Sequence, residues 1–264
     1  MHNAAFASCG LAMCRYELWP TILDDLAHRM DVIRRDETIS GCNVTVPHKV
    51  NVLPFLDRVA SDARAIGAVN TVVKSGSVLS GHNTDWIGWL ADLRAEGFEA
   101  NHNTDAIVLG AGGSARGIVY ALLSVGARVE VVNRDIQRAT KLVGDFAQFG
   151  SIRVGNLDSP GELGAANLVV NCTSAGMAPD TSSCAWPVDL SLPSGAFIYD
   201  LVYRPPVTGL LSAARAKGLR HANGLGMLVA QGAAAFEMWT SVPAAAVAGV
   251  MRVALERALE ESSR

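Results

Sequence analysis

Residues 105–135 read DAIVLGAGGSARGIVYALLSVGARVEVVNRD. An apolar run, a glycine turn, a helical pattern and a second apolar run follow one another, which is the βαβ signature of a dinucleotide-binding unit. In Gly110-Ala111-Gly112-Gly113-Ser114-Ala115-Arg116-Gly117 the glycines let the chain turn tightly and bring backbone N–H groups toward a pyrophosphate at the helix N-terminus. A glycine-rich turn can also serve packing alone, but the strand before it, the helix after it and the second strand in register favour the dinucleotide reading. That second strand ends Val131-Val132-Asn133-Arg134, where an NAD site usually carries an acidic residue for the ribose 2′-hydroxyl. A guanidinium there suits a 2′-phosphate, so the cofactor reads as NADP. Alone, Arg134 would be a solvated surface residue, and the adjacent Asp135 partly offsets its charge.

Outward from this unit the alternation continues. A helical stretch spans Ile136–Phe149, a short β-like run Ser151–Val154, and apolar strands Leu168–Asn171 and Phe197–Leu201, so the middle of the chain reads as a doubly wound α/β sheet. Residues 1–85 mix strand-like runs at Arg15–Trp19, Gly41–Val46, Thr71–Val73 and Val78–Ser80 with helical stretches at Thr21–Arg35 and Val50–Ala60. Ser75-Gly76-Ser77 reads as a hairpin turn. Gly224–Trp239 and Pro243–Glu260 read as two Ala-rich helices.

The 264 residues are half hydrophobic and 18% charged, which excludes a disordered chain and predicts two domains or one large α/β unit. A net charge of −3 without long single-sign runs leaves no electrostatic basis for binding nucleic acid or an anionic membrane, so the partner reads as a small molecule. No apolar run approaches the ~18 residues of a membrane span, and the N-terminus lacks a secretory pattern, so a cytoplasmic protein is expected. The five cysteines are scattered and never in C-x-x-C pairs, which argues against a disulfide framework or a zinc site and predicts reduced thiols and no metal. Cys172 beside Asn171 and Thr173 reads as a small buried residue rather than a nucleophile.

Three polar clusters stand outside the glycine turn. Gly41-Cys42-Asn43-Val44-Thr45-Val46-Pro47-His48-Lys49 places a lysine at a strand-to-helix turn, where a side chain can face a cleft. Taken singly, Lys49 would be a solvated lysine and His48 a surface histidine. Ala68-Val69-Asn70-Thr71 and Gly81-His82-Asn83-Thr84-Asp85 add two Asn-Thr clusters, and Asp85 read alone is a helix N-cap.

With N-V-T-V-P-H-K, I-G-A-V-N-T, G-H-N-T-D, G-A-G-G-S-A-R-G, N-C-T-S-A-G-M, D-L-V-Y-R-P-P-V-T and G-L-G-M-L-V-A-Q in that order, the chain resembles the shikimate/quinate dehydrogenases over residues 2 to about 243. The resemblance implies NADPH-dependent reduction of 3-dehydroshikimate to shikimate by a monomer or homodimer. It implies a substrate domain built from residues 1–85 plus 225–264, a Rossmann-like NADP domain over 86–224, and a reaction in the cleft between them. By motif, Lys49 and Asp85 would be the catalytic pair, and Thr45, Asn70, Tyr203 and Gln231 would meet the substrate. Gly110, Ala111, Gly112, Gly113, Ser114, Ala115, Asn133, Arg134, Thr173, Leu201, Gly224 and Met227 would meet the cofactor. The residue types suit the chemistry, because moving a hydride to a carbonyl carbon requires a proton at its oxygen, which a Lys–Asp pair can supply.

Two departures accompany the resemblance. The family opens with a strand and an S-x-S-x-P-x-x-H-N segment whose serines hold the substrate carboxylate, whereas the numbered sequence starts Met1-His2-Asn3. The expectation is either that this part lies upstream of Met1 or that the substrate sheet lacks a strand. Asn133-Arg134-Asp135 stands where the family often has Asn-Arg-Thr. The alternative readings are a relative with quinate preference, or a dinucleotide-binding paralogue without turnover.

Overall fold

The computed structural model describes residues 1–156, 166–187 and 189–261. Its elements begin with α1 (His2–Ser8), α2 (Leu26–Arg35), β1 (Gly41–Asn43), α3 (His48–Asn51), β2 (Arg58–Val59), α4 (Ser61–Ile66), β3 (Thr71–Ser75), β4 (Val78–His82) and α5 (Asp85–Ala95). They continue with β5 (Asp105–Leu109), α6 (Gly113–Ser124), β6 (Arg128–Val132), α7 (Ile136–Phe146), β7 (Ile152–Val154), β8 (Leu168–Asn171) and β9 (Phe197–Asp200). The last are α8 (Gly209–Ala216), β10 (His221–Asn223), α9 (Leu225–Thr240) and α10 (Ala244–Glu261). The chain divides into two compact units, Met1–Gly88 with Leu228–Arg264, and Trp89–Met227.

In the first unit a four-stranded sheet runs in the order β1-β3-β4-β2. Its pairs are antiparallel except β2 with β4. The hairpin between β3 and β4 turns at Gly76 and Ser77, and Gly76 has φ +59°, a conformation that favours glycine. On α2, Leu26, Met30 and Ile33 follow the spacing of one helical face and pack with Val44, Val69, Val72 and Leu79. A second cluster joins Ala5 and Phe6 of α1 to Val229 and Phe236 of α9 and to Val247 and Met251 of α10. Trp239 Nε1 donates to Val72 O at 3.0 Å and ties α9 to the sheet.

Two expectations for this unit fail. Arg15–Trp19 is irregular rather than a strand: Asn3 takes the place of a ladder partner, its Oδ1 accepting from Tyr16 N at 2.6 Å and its Nδ2 donating to Tyr16 O at 3.0 Å. Val50–Ala60 is not one helix. After the single turn of α3 a short 3₁₀ turn covers Leu53–Phe55, and Pro54, which has no N–H and disfavours helical geometry at the residue before it, stops the helix so that the chain can enter β2.

The second unit holds a six-stranded sheet, β10-β9-β8-β5-β6-β7, whose neighbours are all parallel. Numbered within the unit and read from β7, the order is 3-2-1-4-5-6, the doubly wound dinucleotide-binding arrangement. The switch point lies between β5 and β8. Every residue of β8 and β9 is buried, as expected for parallel strands covered on both faces. The expected helix over Ile136–Phe149 ends at Phe146, and the expected strand over Phe197–Leu201 ends at Asp200. The polar three-residue β10 gave no periodic signal.

Candidate active site

Asn70 lies immediately before β3 and is 2% exposed. Its carboxamide orientation is decided by the backbone: Thr84 N–H, which can only donate, points at Asn70 Oδ1 at 2.8 Å. Thr71 Oγ1 donates to the same oxygen at 3.0 Å. The Asn70 NH₂ group therefore faces the other way, within reach of Asp85 Oδ1 at 2.9 Å, Thr84 Oγ1 at 2.9 Å and Gln231 Oε1 at 3.2 Å. Asp85 opens α5 and is 4% exposed; its other oxygen, Oδ2, accepts from Lys49 Nζ at 2.8 Å. Both carboxylate oxygens thus accept from named donors, an arrangement that satisfies an ionised carboxylate.

This geometry changes the single-residue readings. The Asp85 carboxylate is engaged by Lys49 and Asn70 rather than by its own helix, and Asn83 Oδ1 takes the Asp85 N–H at 3.1 Å. Lys49 is not a solvated lysine; its side chain is 11% exposed. His48 is buried rather than on the surface, with Nε2 bonded to Thr21 O at 2.8 Å. Thr45 is exposed and stands outside the network.

The expected site residues omitted Asn43, although it begins the N-V-T-V-P-H-K run. Its Nδ2 lies 3.2 Å from both Asn70 O and Thr71 Oγ1, and its Oδ1 accepts from Tyr16 OH at 3.1 Å. Burial pushes the Tyr16 phenol up to about 12, which keeps it a neutral donor. Tyr16 falls in the segment that sequence patterning assigned to a strand, so nothing local marked its role.

The glycine turn belongs to the second unit and joins β5 to α6. Gly110 has φ +109°, and a Cβ there would meet Thr173 Cγ2 at 3.1 Å. At Gly112, the N-cap of α6, an added Cβ would meet nothing within 4 Å, so the backbone is open to an approaching group. Arg116 pairs with Asp145 at 2.8 Å and lies over the Phe146 ring, joining α6 to α7. Arg134 is exposed, and Asn133 Nδ2 donates to Asp135 O at 2.8 Å.

Thr173 is held by Asn171 Oδ1, which accepts its N–H at 2.9 Å and its hydroxyl at 2.7 Å. Asn171 in turn donates to Asp200 Oδ1 at 2.8 Å, and Thr208 Oγ1 donates to Asp200 Oδ2 at 2.6 Å. Asp200 is fully buried, and that burial raises its carboxyl above the usual range. It too was absent from the expected site, although it opens the D-L-V-Y run. Gly224 sits where a Cβ would run into Leu201, Met227 is buried, and Tyr203 is half-buried in this same unit. All five cysteines are free thiols.

Three family descriptions match the sequence: the shikimate dehydrogenase substrate binding domain over residues 1–72, shikimate/quinate 5-dehydrogenase over 92–182, and the shikimate 5′-dehydrogenase C-terminal domain over 224–256. A shikimate dehydrogenase (NADP(+)) of Geobacter sp. (strain M21) is 45% identical over 91% of this chain and 84% of its own. That of Moorella thermoacetica is 41% identical over 97% of this chain and 88% of its own. The crystal structure of shikimate 5-dehydrogenase from Thermus thermophilus, in complex with NADP(H) and shikimate, superposes with a TM-score of 0.86 at 40% identity, covering 97% of this chain and 92% of that one.

Proposed function

This chain belongs to the shikimate dehydrogenase family, and on that premise we propose that it catalyses the reversible, NADP-dependent reduction of 3-dehydroshikimate to shikimate. It is an oxidoreductase acting on a CH–OH group with NADP as cofactor. The observation that carries the reading is the Lys49–Asp85 pair, 2.8 Å apart and sheltered from solvent, with Asn70 and Gln231 beside it.

The second unit fits the cofactor: the open backbone at Gly112, the left-handed turn at Gly110 and the exposed Arg134 match a pyrophosphate and a 2′-phosphate in type and order along the chain. Gly110 to Ala115 would hold the pyrophosphate, Asn133 and Arg134 the ribose phosphate, and Thr173, Leu201, Gly224 and Met227 the remainder. When bound, NADPH supplies the hydride.

The protein's own task is the proton. Lys49, as an ammonium, carries a transferable hydrogen, and Asp85 holds it in place while itself held by Asn70. With both oxygens already accepting, Asp85 serves as an anchor for the lysine rather than as the proton donor. Thr45, Asn70, Gln231 and Tyr203 would orient the hydroxyls and carboxylate of the substrate. Among the described residues no helix is long and apolar enough to cross a membrane.

The test is NADPH formation from NADP⁺ with shikimate, and separately with quinate, by the purified protein. Turnover with shikimate is expected. Preference for quinate would replace the substrate, and cofactor binding without turnover on either compound would reduce the protein to a dinucleotide binder.

A further inference from the structure

We propose that Tyr199 and Asp92 are positioning residues for the hydride step: they fix the first turn of α9, and with it the residues that meet the nicotinamide end of the cofactor. The inference rests on the NADP-dependent reading above and gives a task to two buried residues which that reading leaves unused.

In a doubly wound sheet the dinucleotide lies across the switch point, one mononucleotide on each side. With the turn after β5 given to the pyrophosphate and the end of β6 to the phosphorylated ribose, the nicotinamide half falls over the ends of β8, β9 and β10. β10 leads through Gly224 into α9, whose first turn is Leu225-Gly226-Met227. A buried pair holds that turn. Tyr199 of β9 is fully buried, and its hydroxyl donates to Asp92 Oδ2 of α5 at 2.5 Å. The Met227 N–H donates to the same phenol oxygen. The other carboxylate oxygen, Asp92 Oδ1, lies where a Cβ on Gly226 would run into it, so a negative charge sits against the N-terminal turn of α9, where the helix dipole favours it. Burial, and then the Asp92 carboxylate, push the Tyr199 phenol well above its usual range, so it remains a donor at neutral pH. The fully buried Trp89 stands edge-on to the Tyr199 ring at 5.9 Å, and this packing fixes the ring. All of these residues lie within Trp89–Met227, the compact unit that carries the glycine turn. Both members of the pair are buried, so they act through the turn rather than on the substrate. A hydride moves only from a donor carbon held in near-attack geometry, which makes the placement of this turn a matter of rate.

Tyr199→Phe removes the hydroxyl and keeps the ring against Trp89. Dissociation constants are measured by calorimetry for NADPH and for adenosine 2′,5′-bisphosphate, which lacks the nicotinamide half. They are accompanied by kcat, the KM for shikimate, the melting temperature and amide exchange at Met227 in the cofactor-free protein. The variant is expected to bind NADPH about fivefold less tightly, the scale of one net hydrogen bond lost from a turn that binding must then order. Bisphosphate affinity and the KM for shikimate should stay within about twofold of the parent, as for sites that share no partners. The value of kcat should fall about tenfold or more, since a 1 Å misplacement of a reacting group costs ~10². The Met227 amide, deprived of its acceptor, should exchange faster. Asp92→Asn keeps the shape and one acceptor oxygen, so it should fall between the parent and Tyr199→Phe, and it serves as the test where Tyr199→Phe does not fold. Equal losses for NADPH and the bisphosphate, or a lower melting temperature with kcat and NADPH affinity unchanged, overturn the proposal and leave the pair a purely structural one. A parent that binds NADPH but turns over neither shikimate nor quinate removes the enzymatic reading instead, and the two dissociation constants with Met227 exchange still decide whether the pair orders the nicotinamide end.

Discussion

Lys49 shows how a residue with nothing to mark it by itself is held in place by two others. A lysine before a helical turn is ordinarily solvated; here Asp85, itself fixed by Asn70, draws its ammonium out of bulk solvent. Lys49→Ala is expected to lower kcat with 3-dehydroshikimate at least a hundredfold, within the ~10²–10⁴ supplied by a positioned acid or base. The NADPH dissociation constant should be nearly unchanged, since the glycine turn lies in the other unit. Retained kcat would assign the proton to another group. A different prediction comes from His2, which is 4% exposed, stacks on Tyr16 at 4.3 Å and leaves Nδ1 without a partner among the described residues. Burial is the main cause that lowers its titration from 6.5 to about 4. As pH falls through 6.5 the unfolded chain takes up a proton that the folded chain refuses until about 4. Stability is therefore complete above 6.5 and lost progressively below it, by up to about 3 kcal/mol near pH 4. His2→Phe keeps the stack and removes the titration, so melting temperatures between pH 7 and 4.5 should fall less steeply in the variant. Parallel pH profiles for the two proteins would rule this out.

At the scale of elements, α5 and α9 carry Asp85 and Gln231 and meet at Gly88. A Cβ there would meet Gln231 N at 2.7 Å, Cα at 2.9 Å and Cβ at 2.9 Å. Gly88→Ala must push the two helices apart, at a cost of about 1–3 kcal/mol, and should raise KM for shikimate while leaving NADPH binding alone. Gly144→Ala in α7 is the control: its added Cβ meets nothing within 4 Å, so it should stabilise the protein by about 0.5–1 kcal/mol through helix propensity alone. Equal effects of the two substitutions on KM would break the link between helix spacing and the site. Elements with long periodic patterns, such as α7, α9 and the buried β5, β6 and β8, were legible in the sequence. Two short ones were not: β2 has two residues and β10 three, and both exist through ladder pairing with a neighbour distant in sequence.

At the scale of the molecule, the chain leaves one compact unit after Gly88 and returns to it at Leu228. We place the domain boundary at these residues, a few positions from the 85/86 and 224/225 expected from the motifs. Hydrogen exchange should report the two units separately: NADP⁺ should protect amides around Gly110–Ala115 and Asn133–Arg134, and shikimate should protect those around Asn70 and Gln231. Protection by NADP⁺ confined to residues 1–88 would reverse the assignment of cofactor and substrate.

Patterns that repeat within one element, or motifs read in order, settled the α/β class and the position of the dinucleotide unit, and named Lys49, Asp85, Asn70 and Gln231 together as candidates. They could do so because helix and strand periods and the glycine turn are local in the chain. What required tertiary structure was everything set by residues far apart in sequence meeting in space. The flip of the Asn70 amide depends on Thr84, the support of Asn43 on Tyr16, and the hold on Thr173 on Asp200 through Asn171. A hydrogen bond is satisfied by whichever donor the fold brings within about 3 Å, and nothing in the spacing of residues along the chain says which one that will be.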